Sequence, residues 1–178
     1  MTFELRRITP DDWRLLRDVR LRALTDAPDA FGSTRARADG LTEAEWRSRA
    51  DNGGLTLVAV DDTRDDTVDD TGGGPRGLAM GGALAPDGGP TVAVWGMWTD
   101  PAARGRGIGG ALLDALVAWC RDPSSRPARD EVRLHVTQGN DAARRLYLSR
   151  GFEPTGTWEP LRDGSPLRIE ELALRLRS

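Results

Sequence analysis

The chain has 178 residues, with 25 basic and 28 acidic side chains and a formal net charge of −3. That length suits one ordinary domain with a real core, and a near-neutral balance implies no bulk polyanion partner such as nucleic acid. A lone cysteine, Cys120, and a lone histidine, His135, leave no disulfide framework and argue against a cysteine cluster or zinc site, so no metal is expected. No signal peptide opens the sequence and no long apolar run follows, so the expectation is a cytoplasmic protein without a membrane segment. Every basic residue is arginine, which we read as genomic base composition rather than chemistry.

From the N-terminus, Phe3 to Ile8 reads as a short strand. Thr9-Pro10-Asp11-Asp12 starts a helix, with Thr9 as N-cap, Pro10 in the first turn and acids behind it. Trp13, Leu16, Val19 or Arg20, and Leu24 then share one face, and the helix stops near Asp26-Ala27-Pro28. Asp29 to Ser33 is a loop that holds Phe31. Thr42 and Glu45 form a capping box for a short helix carrying Trp46 to about Ala50, and Asn52-Gly53-Gly54 ends it. Leu55 to Val60 is a strand.

Asp61 to Gly74 contains the repeat DDTR-DDTV-DDTG followed by glycines. It is too acidic and too poor in apolar residues to bury itself. One reading is a calcium loop or a cover over a basic substrate; the other is a flexible hairpin insertion spanning 61–74. The EF-hand spacing is absent, with no Glu at the twelfth position. Arg76 to Ala85 is the returning strand, interrupted by Gly81-Gly82, and Pro86 to Pro90 is a second hairpin turn.

Thr91 to Trp98 follows, apolar and rich in Val and Trp, as a buried strand should be. Asp100-Pro101 breaks it. Arg104-Gly105-Arg106-Gly107-Ile108-Gly109-Gly110 is a basic, glycine-rich turn, after which Ile108, Leu112, Leu116 and Trp119 recur at helical spacing. Such a turn gathers backbone N–H groups at a helix N-terminus, where they and the helix dipole suit a phosphate. No Gly-Lys-Ser/Thr follows, so this is not a P-loop. Gly105, Gly107 and Gly110 fit a dinucleotide-binding G-x-G-x-x-G, but that motif should open a repeated βαβ domain near its start, and this one lies past mid-chain.

Asp122 to Ala128 is a loop. Glu131 to Thr137 is a strand in which Val132, Leu134 and Val136 alternate against Arg133, His135 and Thr137. Asn140 is a natural N-cap for a helix that places Ala143 and Tyr147 on one face, with Gly151 fitting its C-cap. Phe152 to Trp158 and Pro166 to Leu176 close the chain as strands.

Arg104-x-x-Gly107-x-Gly109 after a strand ending in Asp-Pro resembles the acetyl-CoA-binding motif of the GNAT family of N-acetyltransferases, closely from about Trp95 to Leu113. The run Asn140-x-x-Ala143-x-x-Leu146-Tyr147, ending at Gly151-Phe152, resembles the other half of that family's cofactor site. The resemblance implies an α/β fold with a mixed, mostly antiparallel sheet of about six or seven strands, a splayed central parallel pair and about four flanking helices. It implies a single acetyltransferase domain over 1–178 with acetyl-CoA as co-substrate. It places the pyrophosphate on the amides of Arg104 to Gly110, that is on Arg104, Gly105, Arg106, Gly107, Ile108, Gly109 and Gly110. It places the pantetheine arm against Met97, Trp98 and Thr99, with Asn140 and Ala143 nearby. Phe31 and Trp95 are candidates for the acceptor wall.

The implied reaction is direct attack of a primary amine, on a small molecule or peptide, upon the thioester. Tyr147 is the expected catalytic residue; a phenol with an ordinary pKa near ~10 holds a proton it can give to the departing thiolate. Many family members carry a Glu on the central strand as base, but Thr91 to Met97 holds no carboxylate. His135 is one substitute, since imidazole can take up a proton near neutral pH. The rival function is a non-catalytic acyl-CoA-binding sensor. A second copy of the chain, as a homodimer, is a further expected partner.

Overall fold

A computed structural model describes residues 3–61, 77–85, 89–122, 124 and 129–176. The acidic repeat of 61–74 therefore lies outside the described residues apart from Asp61. Seven strands run β1 (Phe3–Arg7), β2 (Leu55–Asp61), β3 (Gly77–Leu84), β4 (Thr91–Thr99), β5 (Glu131–Thr137), β6 (Glu153–Pro160) and β7 (Arg168–Arg175). They form one sheet in the order β1-β2-β3-β4-β5-β7-β6. Among the described residues only the central β4–β5 pair is parallel; its neighbours pair antiparallel, as the expected fold class requires.

The helices are α1 (Trp13–Asp26), α2 (Arg35–Asp39), α3 (Glu43–Ala50), α4 (Ile108–Arg121) and α5 (Asp141–Ser149). The short α2 was not expected. It is a single five-residue turn whose N-cap, Thr34, accepts from the Arg37 amide at 3.3 Å. The α3 capping box forms as its sequence requires: Glu45 Oε2 accepts from the Thr42 amide at 2.7 Å, and Thr42 Oγ1 from the Glu45 amide at 3.3 Å.

The sheet is covered on both faces. Ile108, Leu112, Leu113 and Leu116 of α4 and Tyr147 of α5 join Val92, Val94, Val132 and Leu134 in one core. Leu16, Val19 and Leu24 of α1 and Trp46 of α3 join Val58, Met80 and Trp98 in the other. Each fully buried leucine contributes about 1.5–3 kcal/mol of hydrophobic stabilisation. Arg144 fixes α5 to β7: its Nε donates to Glu170 Oε2 at 2.7 Å and its Nη2 to Oε1 at 3.2 Å. Glu170 is buried, so loss of that arginine would strand a charge in the core. No helix among the described residues is long and apolar enough to cross a membrane.

Candidate active site

The site starts where the central pair comes apart. β4 and β5 pair at Thr91–Glu131, Val92–Val132 and Ala93–Arg133 and make no ladder to each other beyond. β5 continues on β7 through Thr137, and β4 continues on β3 through Thr99, so the two strands diverge. The divergence has a local cause. Gly96 and Met97 of β4 together oppose the single residue Gly81 of β3, and Gly96 has φ +68°. One extra residue in a strand bends it and sharpens its twist. The Gly81-Gly82 pair does not interrupt β3, contrary to the expectation from sequence. A Cβ on Gly81 would stand 2.5 Å from Met97 Sδ, and one on Gly82 would stand 2.4 Å from the Trp95 ring. The pair is bare so that two large β4 side chains can lie across it.

The divergence opens a cleft of about 870 Å³. The turn after β4 forms one wall. Gly105 and Gly107 have φ of +76° and +77°, and Gly107 is the N-cap of α4. A Cβ on either would meet nothing within 4 Å, so both face open space. Glycine is needed at both for the left-handed backbone. The first amides of α4 have no intrahelical acceptor and, with the dipole, favour an anion at this mouth.

The opposite wall comes from α5 and the turn before it. Asn140 Oδ1 accepts from the Ala143 amide at 3.3 Å, which starts the helix, and Gly151, at φ +84°, follows its last turn. Tyr147 is 6% exposed, with its ring centroid 6.2 Å from that of Phe152. Its hydroxyl makes no hydrogen bond to any described residue and lines the cleft, while burial pushes its pKa up to about 12. Thr137, at the end of β5, also lines the cleft, and its buried Oγ1 has no partner among the described residues.

A smaller, partly open pocket of about 50 Å³ continues the cleft into the gap between the strands. Trp95, Gly96 and Met97 line it from β4, His135 and Thr137 from β5, Phe31 from the α1–α2 loop, and Tyr147 from α5. His135 is half-exposed on the face opposite Leu134 and Val136, as the alternation of β5 requires. Its Nε2 lies 3.9 Å from Glu171 Oε2, beyond hydrogen-bond range. Glu171 is otherwise engaged, accepting from Thr155 Oγ1 at 2.9 Å.

The fold thus brings nearly all the expected residues together. Met97, Trp98, Thr99, Arg104, Gly105, Gly107, Ile108, Gly109, Gly110, Asn140, Ala143, Tyr147 and Phe31 line the cleft, and Trp95 lines the smaller pocket. Among them, Arg106 alone lines neither. Arg104 reaches the cleft with its charge already engaged: Nη2 donates to Asp26 Oδ2 and Nε to the Thr99 carbonyl at 3.1 Å. Sequence reasoning missed Thr137, Gln138 and Asp26. The first two directly precede the Gly139-Asn140 block, so their adjacency was the available signal. Asp26 carried none, because its partners are 72 and 78 positions away.

L-2,4-diaminobutyric acid acetyltransferase of Streptomyces anulatus is 39% identical over 72 residues, which are 38% of this chain and 37% of that protein. The chain thus spans little more than a third of that relative's length. Among solved structures, the acetyltransferase of GNAT family from Streptococcus pneumoniae superposes with a TM-score of 0.75 at 16% identity, covering 98% of this chain and 99% of that one. A GNAT superfamily phosphinothricin acetyltransferase from Sinorhizobium meliloti, solved in complex with AcCoA, superposes with a TM-score of 0.71 at 22% identity, covering 99% and 89%. Both likenesses are of fold. A profile of the acetyltransferase (GNAT) family matches residues 20–152, more than half of the 178-residue chain, and the chain belongs to that family.

Proposed function

We propose that the protein is an N-acetyltransferase that uses acetyl-CoA to acetylate the primary amine of a small molecule or peptide by direct attack. The observation that carries this reading is the gap between β4 and β5. It has a glycine-lined anion mouth at one end and an unpartnered phenol in its wall. The residues fit the co-substrate on the structure's own terms. Gly105 and Gly107 leave room where a Cβ would project. Thr137 Oγ1 is buried with no partner among the described residues, and Tyr147, which lines the cleft, gives its hydroxyl to none of them.

The amides from Gly105 to Gly110 would hold the pyrophosphate, and the diverged backbone of Met97 to Thr99 would pair with the pantetheine arm beside Asn140 and Ala143. Bound there, acetyl-CoA supplies an acetyl thioester. Tyr147 holds its proton on the α5 side of the gap and can give it to a departing thiolate. His135 stands on the other face of the sheet, where it can take a proton from an incoming ammonium group. Proton uptake and proton release are thereby kept on opposite sides of the reacting centre. The Streptomyces relative, named for L-2,4-diaminobutyric acid, supports a small amine as acceptor.

The test is thiol release from acetyl-CoA across a panel of amines, amino acids, aminoglycosides and peptide N-termini, alongside calorimetric binding of acetyl-CoA. Amine-dependent release establishes the enzyme. Binding without release from any amine rejects it in favour of the acyl-CoA sensor.

A further inference from the structure

Among the described residues, several buried side-chain nitrogen and oxygen atoms have no hydrogen-bond partner. Thr137 Oγ1 stands apart, because its residue lines both the cleft and the smaller pocket that continues it. Thr56, the other threonine in that group, lines neither. Trp95 lines the pocket, but its Nε1 lies 2.8 Å from where a Cβ on Gly82 would stand, against β3. Thr137 ends β5 and is 7% exposed. Its pairing with Ile169 carries the alternation of the strand to this last residue. Thr137 therefore shares the face of His135 and leaves the α4 core to Leu134 and Val136.

Chemistry separates it from its polar neighbours. Thr137, Asn140 and Tyr147 line both spaces. Asn140 Oδ1 is taken by the Ala143 amide, which leaves that side chain mainly its donors. The Tyr147 hydroxyl belongs to α5, across the gap, where its proton serves the leaving thiolate. A primary amine that attacks through its lone pair still carries N–H groups that need an acceptor. The Thr137 hydroxyl oxygen offers two lone pairs. Valine has the same shape and already fills positions 132 and 136 of this strand. A buried hydroxyl without a partner costs stability that valine would not, so the oxygen is not explained by packing.

We propose that Thr137 positions the acceptor: its Oγ1 accepts a hydrogen bond from the amine nitrogen and holds that nitrogen at the thioester on the His135 face of the gap. The inference rests on the acetyltransferase reading above. It adds no proton transfer. The proton that the amine loses goes to His135, and the N–H held by Thr137 is the one the amide product keeps.

Thr137→Val removes the oxygen and keeps the shape, whereas Thr137→Ser keeps the oxygen. Thiol release from acetyl-CoA is measured for wild type and both variants with L-2,4-diaminobutyrate, phenethylamine, kanamycin and trialanine, and with no amine. For each amine that wild type uses, Thr137→Val should lower kcat/KM for the amine roughly 10- to 100-fold, the span of a hydrogen bond to a charged group. Acetyl-CoA affinity by calorimetry and the slow release without amine should not change, and the variant should melt no lower than wild type. Thr137→Ser should recover most of the loss. A kcat/KM within about twofold of wild type in Thr137→Val overturns the proposal. Melting several degrees lower in Thr137→Val and restored in Thr137→Ser also overturns it, because the oxygen is then bonded within the protein. A parallel fall in amine-free release overturns it by moving the hydroxyl to the thioester carbonyl. If Thr137→Val does not fold, Thr137→Ala is read against Thr137→Ser in the same way. No thiol release from any amine with wild type removes the acetyltransferase reading itself, and this proposal falls with it.

Discussion

Replacing Tyr147 with Phe removes one oxygen and leaves the ring. The ring is what the core uses, packed against Phe152 in the cluster under α4. The hydroxyl gives up no hydrogen bond to any described residue, so Tyr147→Phe should change stability by about 0.5 kcal/mol or less. Burial pushes the pKa of this phenol from the usual 10 up to about 12. Keeping it neutral is therefore favoured by about 3 kcal/mol, and at pH 9 only about one molecule in a thousand is ionised. The raised value also fixes the sign of the linkage. The stabilising effect is complete below the unfolded value near ~10 and is lost as pH rises through about 12. An alkaline limb of the rate profile below pH 10 therefore belongs to another group. If the phenol protonates the leaving thiolate, Tyr147→Phe should lower kcat roughly 10²- to 10⁴-fold, or about 3–5 kcal/mol of barrier, with acetyl-CoA affinity unchanged. The assay is thiol release at saturating acceptor, with calorimetry for affinity and a melting curve for stability. A kcat within threefold of wild type would refute the acid role and leave the hydroxyl as a contact that orients the sulfur. A fall in melting temperature of several degrees would show that the oxygen is structural.

Gly107→Val puts a branched residue at φ +77°, which costs at least 1–2 kcal/mol of backbone strain, roughly, and projects a side chain into the open cleft. Acetyl-CoA affinity should fall at least tenfold while the chain stays folded; unchanged affinity would remove the phosphate from this turn. Deleting Thr63 to Gly72 should leave melting temperature and acetyl-CoA affinity nearly unchanged, because loop length costs entropy only logarithmically. A large loss of turnover at unchanged stability would show instead that the repeat bears on the acceptor. His135→Gln should lower kcat/KM at least tenfold and spare acetyl-CoA binding; an unchanged kcat/KM would exclude His135 as base.

The donor half of the site was legible because its chemistry is contiguous. A glycine with left-handed φ, the helix it caps and the strand before it occupy one run from Val94 to Trp119, and each is set by its near neighbours. The second block reads the same way, from Asn140 as cap to Gly151 after the last turn. Gly81-Gly82 misled because the reason for two glycines lies on another strand, in the bulk of Trp95 and Met97. The acceptor half was hardest to read. Phe31, Trp95 and His135 come from three separated segments, and only the diverging strands bring them to one cavity. On α1 the sequence left Val19 and Arg20 as alternatives for one face. Both are used: Val19 is fully buried in the core, while Arg20 turns toward Phe31.

That helix also reaches the donor half. At its C-terminal end, Asp26 Oδ2 accepts from Trp98 Nε1 at 2.9 Å and from Arg104. One turn earlier Arg22 holds Asp100, whose other oxygen accepts from the Ala102 amide at 2.9 Å. The path of the chain out of β4 is thus clamped twice by α1. Arg104 spends its charge on Asp26, and Arg106 lines neither cavity, so the arginines that make the turn look basic in sequence are poorly placed to supply its positive field. The uncompensated N–H groups and dipole of α4 remain, and they are aimed by backbone geometry, which the glycines permit and α1 holds in place. Arg20, stacked on Phe31, and Asp26, bonded to Arg104 of the glycine turn, lie six residues apart on the same helix. Helical geometry fixes that spacing at about 9 Å along the axis. A shift of α1 would therefore move the Phe31 side of the cleft and the glycine turn together.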